Sequence, residues 1–134
     1  MEVKRRFLSY AFVQRWETIG GKKCFFKSTW EINYARWLEW LKEQKQILDW
    51  EYEPDIFRYE KIKRGTKYYV PDFKVRLLDG SFEYHEVKGY MDQKSRTKLK
   101  RFLKYFPQVE IKLVSTEWFK RYKDRLKAII TDWI

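Results

Sequence analysis

The hydrophobic residues change period several times along the chain, and each change marks an element. In "STWEINYARWLEWLKEQKQIL" the apolar Tyr34, Trp37, Leu38, Leu41 and Leu48 recur at helical spacing, with Lys42, Glu43 and Lys45 opposite. That pattern predicts a helix over about residues 29–46. Ser28 followed three residues later by Glu31 fits a capping box at its start. "ILDWEYEPDIFRYEKI" is aromatic-rich and alternating, one or two strands with a break at Pro54. Alternation returns over residues 68–77 and 81–88, two strands joined at Asp79-Gly80. "MDQKSRTKLKRFLKYF" reads as a basic helix capped by Asp92 or a neighbour and ending before Pro107. "VEIKLV" is a short alternating strand. The last segment predicts a helix capped by Ser115 or Thr116, with Trp118, Tyr122, Leu126 and Ile129 or Ile130 on one face. At the other end, residues 1–24 are basic and aromatic, with a short helix expected over about residues 3–16 before Gly20-Gly21. The order helix, strands, helix, strand, helix gives an α/β fold, one sheet flanked by helices.

Within the hairpin, Asp72, Glu86 and Lys88 stand among hydrophobic neighbours, and the turn decides whether they meet. Glu86 and Lys88 share a face by alternation alone. With a two-residue Asp79-Gly80 loop, Asp72 lands opposite Val87, on the wrong face. With a three-residue loop, Leu78-Asp79-Gly80, it stands opposite Glu86. Gly80 then occupies the left-handed position that such loops need, and Phe73, Val75 and Leu77 share a face with Val87. His85 and Glu83 fall on that apolar face, and Phe82 and Tyr84 on the charged one. Carboxylates on opposed strand positions have Cβ atoms roughly 4.5–5.5 Å apart and need a cation between them. An oxygen-rich site of that kind suits Mg²⁺ or Mn²⁺. Pro71 cannot donate to a ladder, so an edge strand or a local distortion is expected beside Asp72. The plain alternative is a solvated strand face carrying a Glu–Lys pair.

Composition narrows the class. The chain has 134 residues, enough for one domain, with 44% hydrophobic and 20% aromatic residues to build a core. Lys and Arg total 30 against 19 Asp and Glu, a net charge of +11 that favours a polyanionic partner, nucleic acid first. One cysteine, Cys24, rules out an internal disulfide and a cysteine-rich zinc site. One histidine, His85, argues against nucleases built on paired histidines, and its face points to a structural or surface role. No apolar run approaches the roughly 20 residues of a membrane span, and the N-terminus shows no signal-peptide pattern. An intracellular (cytoplasmic) protein is the expectation, without a membrane partner.

"YVPDF", the hairpin and "HEVKG" together resemble the PD-(D/E)XK nuclease superfamily. The likeness extends upstream through "KSTWEINYARWLEWL" and "LDWEYEPDIF" and downstream to "KYFPQVEIKLV", and is similar to small phage and mobile-element endonucleases. It implies a restriction-endonuclease-like core with a mixed sheet, residues 25–114, between a basic segment (1–24) and a C-terminal helix (115–134). It also implies a divalent-metal-dependent DNA endonuclease. Asp72 and Glu86 would be metal ligands with the Val87 carbonyl, Lys88 would orient or deprotonate the attacking water, and Glu31 would reach the metal or its water. For Glu31, the capping box is a sufficient explanation by itself.

Candidate DNA contacts are Lys94, Lys98 and Arg101 on the basic helix and Lys61, Lys63, Arg64 and Lys67 in the preceding loop. A solvated helix face and an ordinary hairpin tip explain them equally well. A double-strand break would need a homodimer or two successive nicks. Three competing readings stay open: a non-catalytic DNA- or junction-binding protein on the same scaffold, a Holliday-junction resolvase, and a membrane-surface or protein-interaction module.

Overall fold

The computed structural model describes residues 14–59, 67–89 and 91–134. Its centre is a four-stranded mixed sheet in the order β3 (Asp49–Tyr52), β6 (Phe73–Arg76), β7 (Phe82–Lys88), β8 (Ile111–Ser115). The first two pairings are antiparallel and β7 with β8 is parallel. Three helices are described: α1 (Thr29–Glu43), α2 (Gln93–Tyr105) and α3 (Thr116–Ile129). Two small ribbons accompany the sheet, β1 (Arg15–Ile19) with β2 (Lys22–Phe26) and β4 (Phe57–Arg58) with β5 (Tyr68–Tyr69). The expected single sheet is thus one mixed sheet plus two ribbons.

The first ribbon replaces the end of the expected N-terminal helix; residues 1–13 lie outside the described residues. "RWETI" and "KKCFF" each alternate, and Gly20 and Gly21 take positive φ (58° and 79°) between them. Period two plus a glycine turn outweighs any helical tendency there. Ile19 and Phe26 point inward, so this ribbon belongs to the main core.

Alternation along the sheet sends Phe73, Val75, Val87 and Val114 to one face, against Ile32, Tyr34, Ala35 and Leu38 of α1 and Phe119 of α3. Tyr84, on the opposite face, meets Phe57, which packs against Phe102 of α2. Phe102 forms a second cluster with Tyr59 and Tyr69. The sheet is therefore covered on both faces. On the expected stripe of α3, Leu126 and, of the two alternatives, Ile130 are buried, Trp118 and Tyr122 are half-buried, and Phe119 joins them in the core.

Chain ends of elements follow local chemistry. Asp92 caps α2 by accepting from the Ser95 N–H at 2.7 Å. α1 stops at Glu43, because Lys45 turns left-handed (φ 58°) and Gln46 N–H bonds back to the Leu41 carbonyl. Leu48 consequently leaves the helix and is exposed.

Candidate active site

The β6–β7 turn fixes the site. Phe73 pairs with His85 and Val75 with Glu83, so the ladder, continued one step, sets Asp72 opposite Glu86. Leu77 N–H bonds the Ser81 carbonyl across the three-residue loop, and Gly80 has φ +88°. A Cβ on Gly80 would meet nothing within 4 Å, so its backbone conformation alone demands glycine. Pro71 is buried, and the chain breaks there between β5 and β6. β6 lies between β3 and β7, so the local distortion is observed and the edge position is not.

Five elements deliver charged groups to that end of the sheet. Glu31 sits in the first turn of α1, where Ser28 Oγ accepts its N–H at 3.2 Å. Its carboxylate makes a different bond from the one a capping box requires: Oε1 accepts from the Lys27 N–H at 2.9 Å and the Tyr52 hydroxyl at 3.2 Å. Glu53 follows β3 with φ +48°, although a residue before proline is normally extended. That turn lets its N–H donate to the Asp72 carbonyl at 2.8 Å. Glu31, Glu53 and Asp72 each offer a carboxylate oxygen, and the three lie within 4.8 Å of one another. Glu31 and Asp72 are 4% and 5% exposed. Glu86 stands beside this triad: its Oε1 accepts from the Asp72 N–H at 3.1 Å. Val87 N–H donates to Asp72 Oδ2 at 2.8 Å, and the N–H and C=O of one strand residue face the same neighbour, so the Val87 carbonyl also faces β6.

Among the described residues, one ammonium enters the cluster. Lys27, just past β2, places Nζ 2.9 Å from Glu53 Oε1 and 3.8 Å from Asp72 Oδ1. Burial works against its charge, but the hydrogen bond to Glu53 and the fields of Asp72 and Glu31 hold its pKa above the ordinary lysine value. One cation cannot offset all the carboxylates. Burial, then repulsion from Glu86 and Glu31, push the Asp72 carboxyl well above its usual range. Burial also raises Glu31, against its hydrogen bond with Asp72 and the Lys27 charge. The arrangement is an oxygen-only donor set with surplus negative charge, the chemistry that a hard divalent cation satisfies.

The residue pattern covers 109 residues' worth of these elements, 15–123, in one family model. The chain belongs to the family described as Protein of unknown function (DUF1064). That DUF1064 span begins with β1 and ends within α3, so it takes in the ribbon as well as the sheet. No curated protein matches the chain.

Sequence reasoning placed Asp72, Glu86, Val87 and Glu31 together and missed Glu53 and Lys27. The signal for Glu53 was its place before Pro54 at a strand end; Lys27 carried none. Lys88 shares the Glu86 face of β7, is half-buried, and makes no ion pair among the described residues. Lys94 and Lys98 are exposed on α2, Arg101 is half-buried, and Lys67 is exposed before β5. Lys61, Lys63 and Arg64 lie outside the described residues. No helix of the described residues is long and apolar enough to cross a membrane.

Proposed function

We propose that this DUF1064 protein is a divalent-metal-dependent DNA endonuclease built on a restriction-endonuclease-like core. The carrying observation is the convergence of Glu31, Glu53 and Asp72 within 4.8 Å, with Glu86 bonded alongside. Asp72, Glu31 and Glu53 would hold Mg²⁺ or Mn²⁺, with Glu86 and the Val87 carbonyl adjacent. Bound there, the ion would supply hydroxide at neutral pH and neutralise charge on a phosphate.

The chain's own groups do the rest. Val87 N–H fixes Asp72, and Tyr52 and the Lys27 N–H fix Glu31, so the carboxylates are held before any ligand arrives. Lys88, on the face of Glu86, would orient a water or neutralise a phosphate oxygen. Lys27 balances part of the cluster, and with a cation bound there it would be free to meet a phosphate. The exposed Lys94 and Lys98 favour a polyanionic substrate.

Lys27 also favours a second reading. Its contacts could make the cluster a fixed ion-pair network in a non-catalytic DNA-binding protein. Supercoiled, linear and branched DNA incubated with Mg²⁺ separates the two. Wild type is expected to cut at least one form, and Asp72→Ala and Lys88→Ala to cut none. Cleavage surviving both substitutions would discard the mechanism, and binding without cleavage in the wild type would favour the second reading.

A further inference from the structure

The β1–β2 ribbon has two unlike faces. Its inner face carries Ile19 and Phe26 into the core. Its outer face, by alternation, carries Trp16 opposite Phe25 and Thr18 opposite Lys23. Trp16 is 61% exposed and Phe25 42%. Their rings meet edge to face with centroids 5.4 Å apart, and Lys23 Nζ lies 5.5 Å from the Trp16 centroid. Among the described residues Lys23 has no acidic partner, whereas inward-facing Lys22 pairs with Asp49 at 2.9 Å.

Two exposed aromatics held rigidly on a ribbon, with a cation over one of them, cost solubility unless something covers them. Lys27 follows at the bend just past β2, and its ammonium ends on Glu53 and Asp72. The outer face is therefore a cation and two rings, and the chain leaving it carries a second cation to the acidic cluster.

We infer that this face, Lys23, Trp16 and Phe25, with Lys27 just beyond it, is a platform for single-stranded nucleic acid, which it leads to the acidic cluster. The inference rests on the endonuclease reading of that cluster and names its substrate class, DNA with a single-stranded segment beside the cleavage point. Unpaired bases have free π-faces for Trp16 and Phe25, and their phosphates suit Lys23 and Lys27. A blunt duplex hides its base faces and gains only from the lysines. The net charge of +11 supplies the matching electrostatics.

Fluorescence anisotropy in Ca²⁺ buffer tests this, using a blunt duplex, the same duplex with a single-stranded tail, and the isolated strand. Wild type is expected to bind the tailed duplex about tenfold tighter than the blunt one. Trp16→Ala with Phe25→Ala should remove that advantage, leave blunt-duplex affinity unchanged, and keep the melting temperature. Tail preference equal in wild type and double variant, or absent from both, would overturn the inference. So would a wild-type dimer in light scattering that the double variant converts to monomer, since the face would then cover a second copy. Asp72→Asn distinguishes the two readings: it should lose cleavage and keep the tail preference. If wild type shows tail preference and never cuts, the nuclease reading falls and the platform stands. If it cuts and the double variant binds tails as well as wild type, the platform falls alone.

Discussion

Strand β7 carries titratable groups on both faces, and they are handled in opposite ways. On the core face, His85 lies between Tyr34 and Glu83. The Tyr34 hydroxyl is 2.6 Å from Nδ1 and Glu83 Oε1 is 2.9 Å from Nε2. A carboxylate can only accept, so Nε2 carries the proton and Nδ1 accepts from the tyrosine. Lys112 of β8 closes the chain at 3.1 Å from Glu83. Burial lowers the His85 pKa, keeping it neutral. Burial disfavours the Glu83 charge as well, yet the bonds from His85 and Lys112 hold its pKa below the usual value. Every member has a partner, and nothing is left over for a ligand. At the end of the same sheet, Glu31, Glu53, Asp72 and Glu86 are joined, among the described residues, by the single Lys27 ammonium, and the Asp72 and Glu31 pKa values rise. A closed network holds a strand in place; an unbalanced one leaves charge that a cation would offset.

Opening the closed network gives the largest expected change in stability. His85→Ala strands the Tyr34 hydroxyl, leaves Glu83 with Lys112 as its remaining partner and opens a hole beside them, at about 2–4 kcal/mol. Thermal unfolding should register the loss, while the affinity for Mn²⁺ stays that of wild type. A fall in Mn²⁺ affinity with stability intact would mean the two regions are not separate.

Relieving the unbalanced network should act the other way. Asp72→Asn removes one buried negative charge and is expected to stabilise the metal-free protein by about 1 kcal/mol, visible as a higher melting temperature in EDTA. pH sharpens this. Asp72 and Glu31 bind protons more tightly folded than unfolded, so their contribution is present below the ordinary values of 3.8 and 4.5. It is lost as pH rises through the raised folded values. The advantage of Asp72→Asn over wild type should therefore grow with pH and vanish in acid; a constant advantage would show that Asp72 is not raised.

Lys27→Met should give the smallest effect. The side chain is 52% exposed, so losing its pair with Glu53 costs roughly 1 kcal/mol or less. The stabilisation gained on adding Mn²⁺ should increase, because the ion no longer competes with an ammonium. An unchanged Mn²⁺ response would remove Lys27 from the site.

The comparison also explains what the sequence could reveal. The hairpin register was readable because Asp79-Gly80 and the alternation around it are local, and the same holds for the Asp92 and Ser28 caps. His85 and Glu83 on the apolar face read as a blemish because the groups that complete the network come from α1 and β8. Tyr34 lies 51 residues from His85. Glu53 was missed because its role depends on a left-handed backbone before Pro54, a conformation proline normally disfavours. Lys27 depends on β2, whose residues were assigned to no element, so its direction could not be inferred. Pairings within a turn are encoded nearby, whereas charge balance is settled by elements brought together in the fold.

Crystals grown with Mn²⁺ offer the most direct test, through the anomalous signal of the ion. The account predicts a peak within coordination distance of Asp72, Glu31 and Glu53 oxygens, with the Lys27 ammonium moved off Glu53. A map with no peak there at saturating Mn²⁺, and Lys27 still bonded to Glu53, would contradict it.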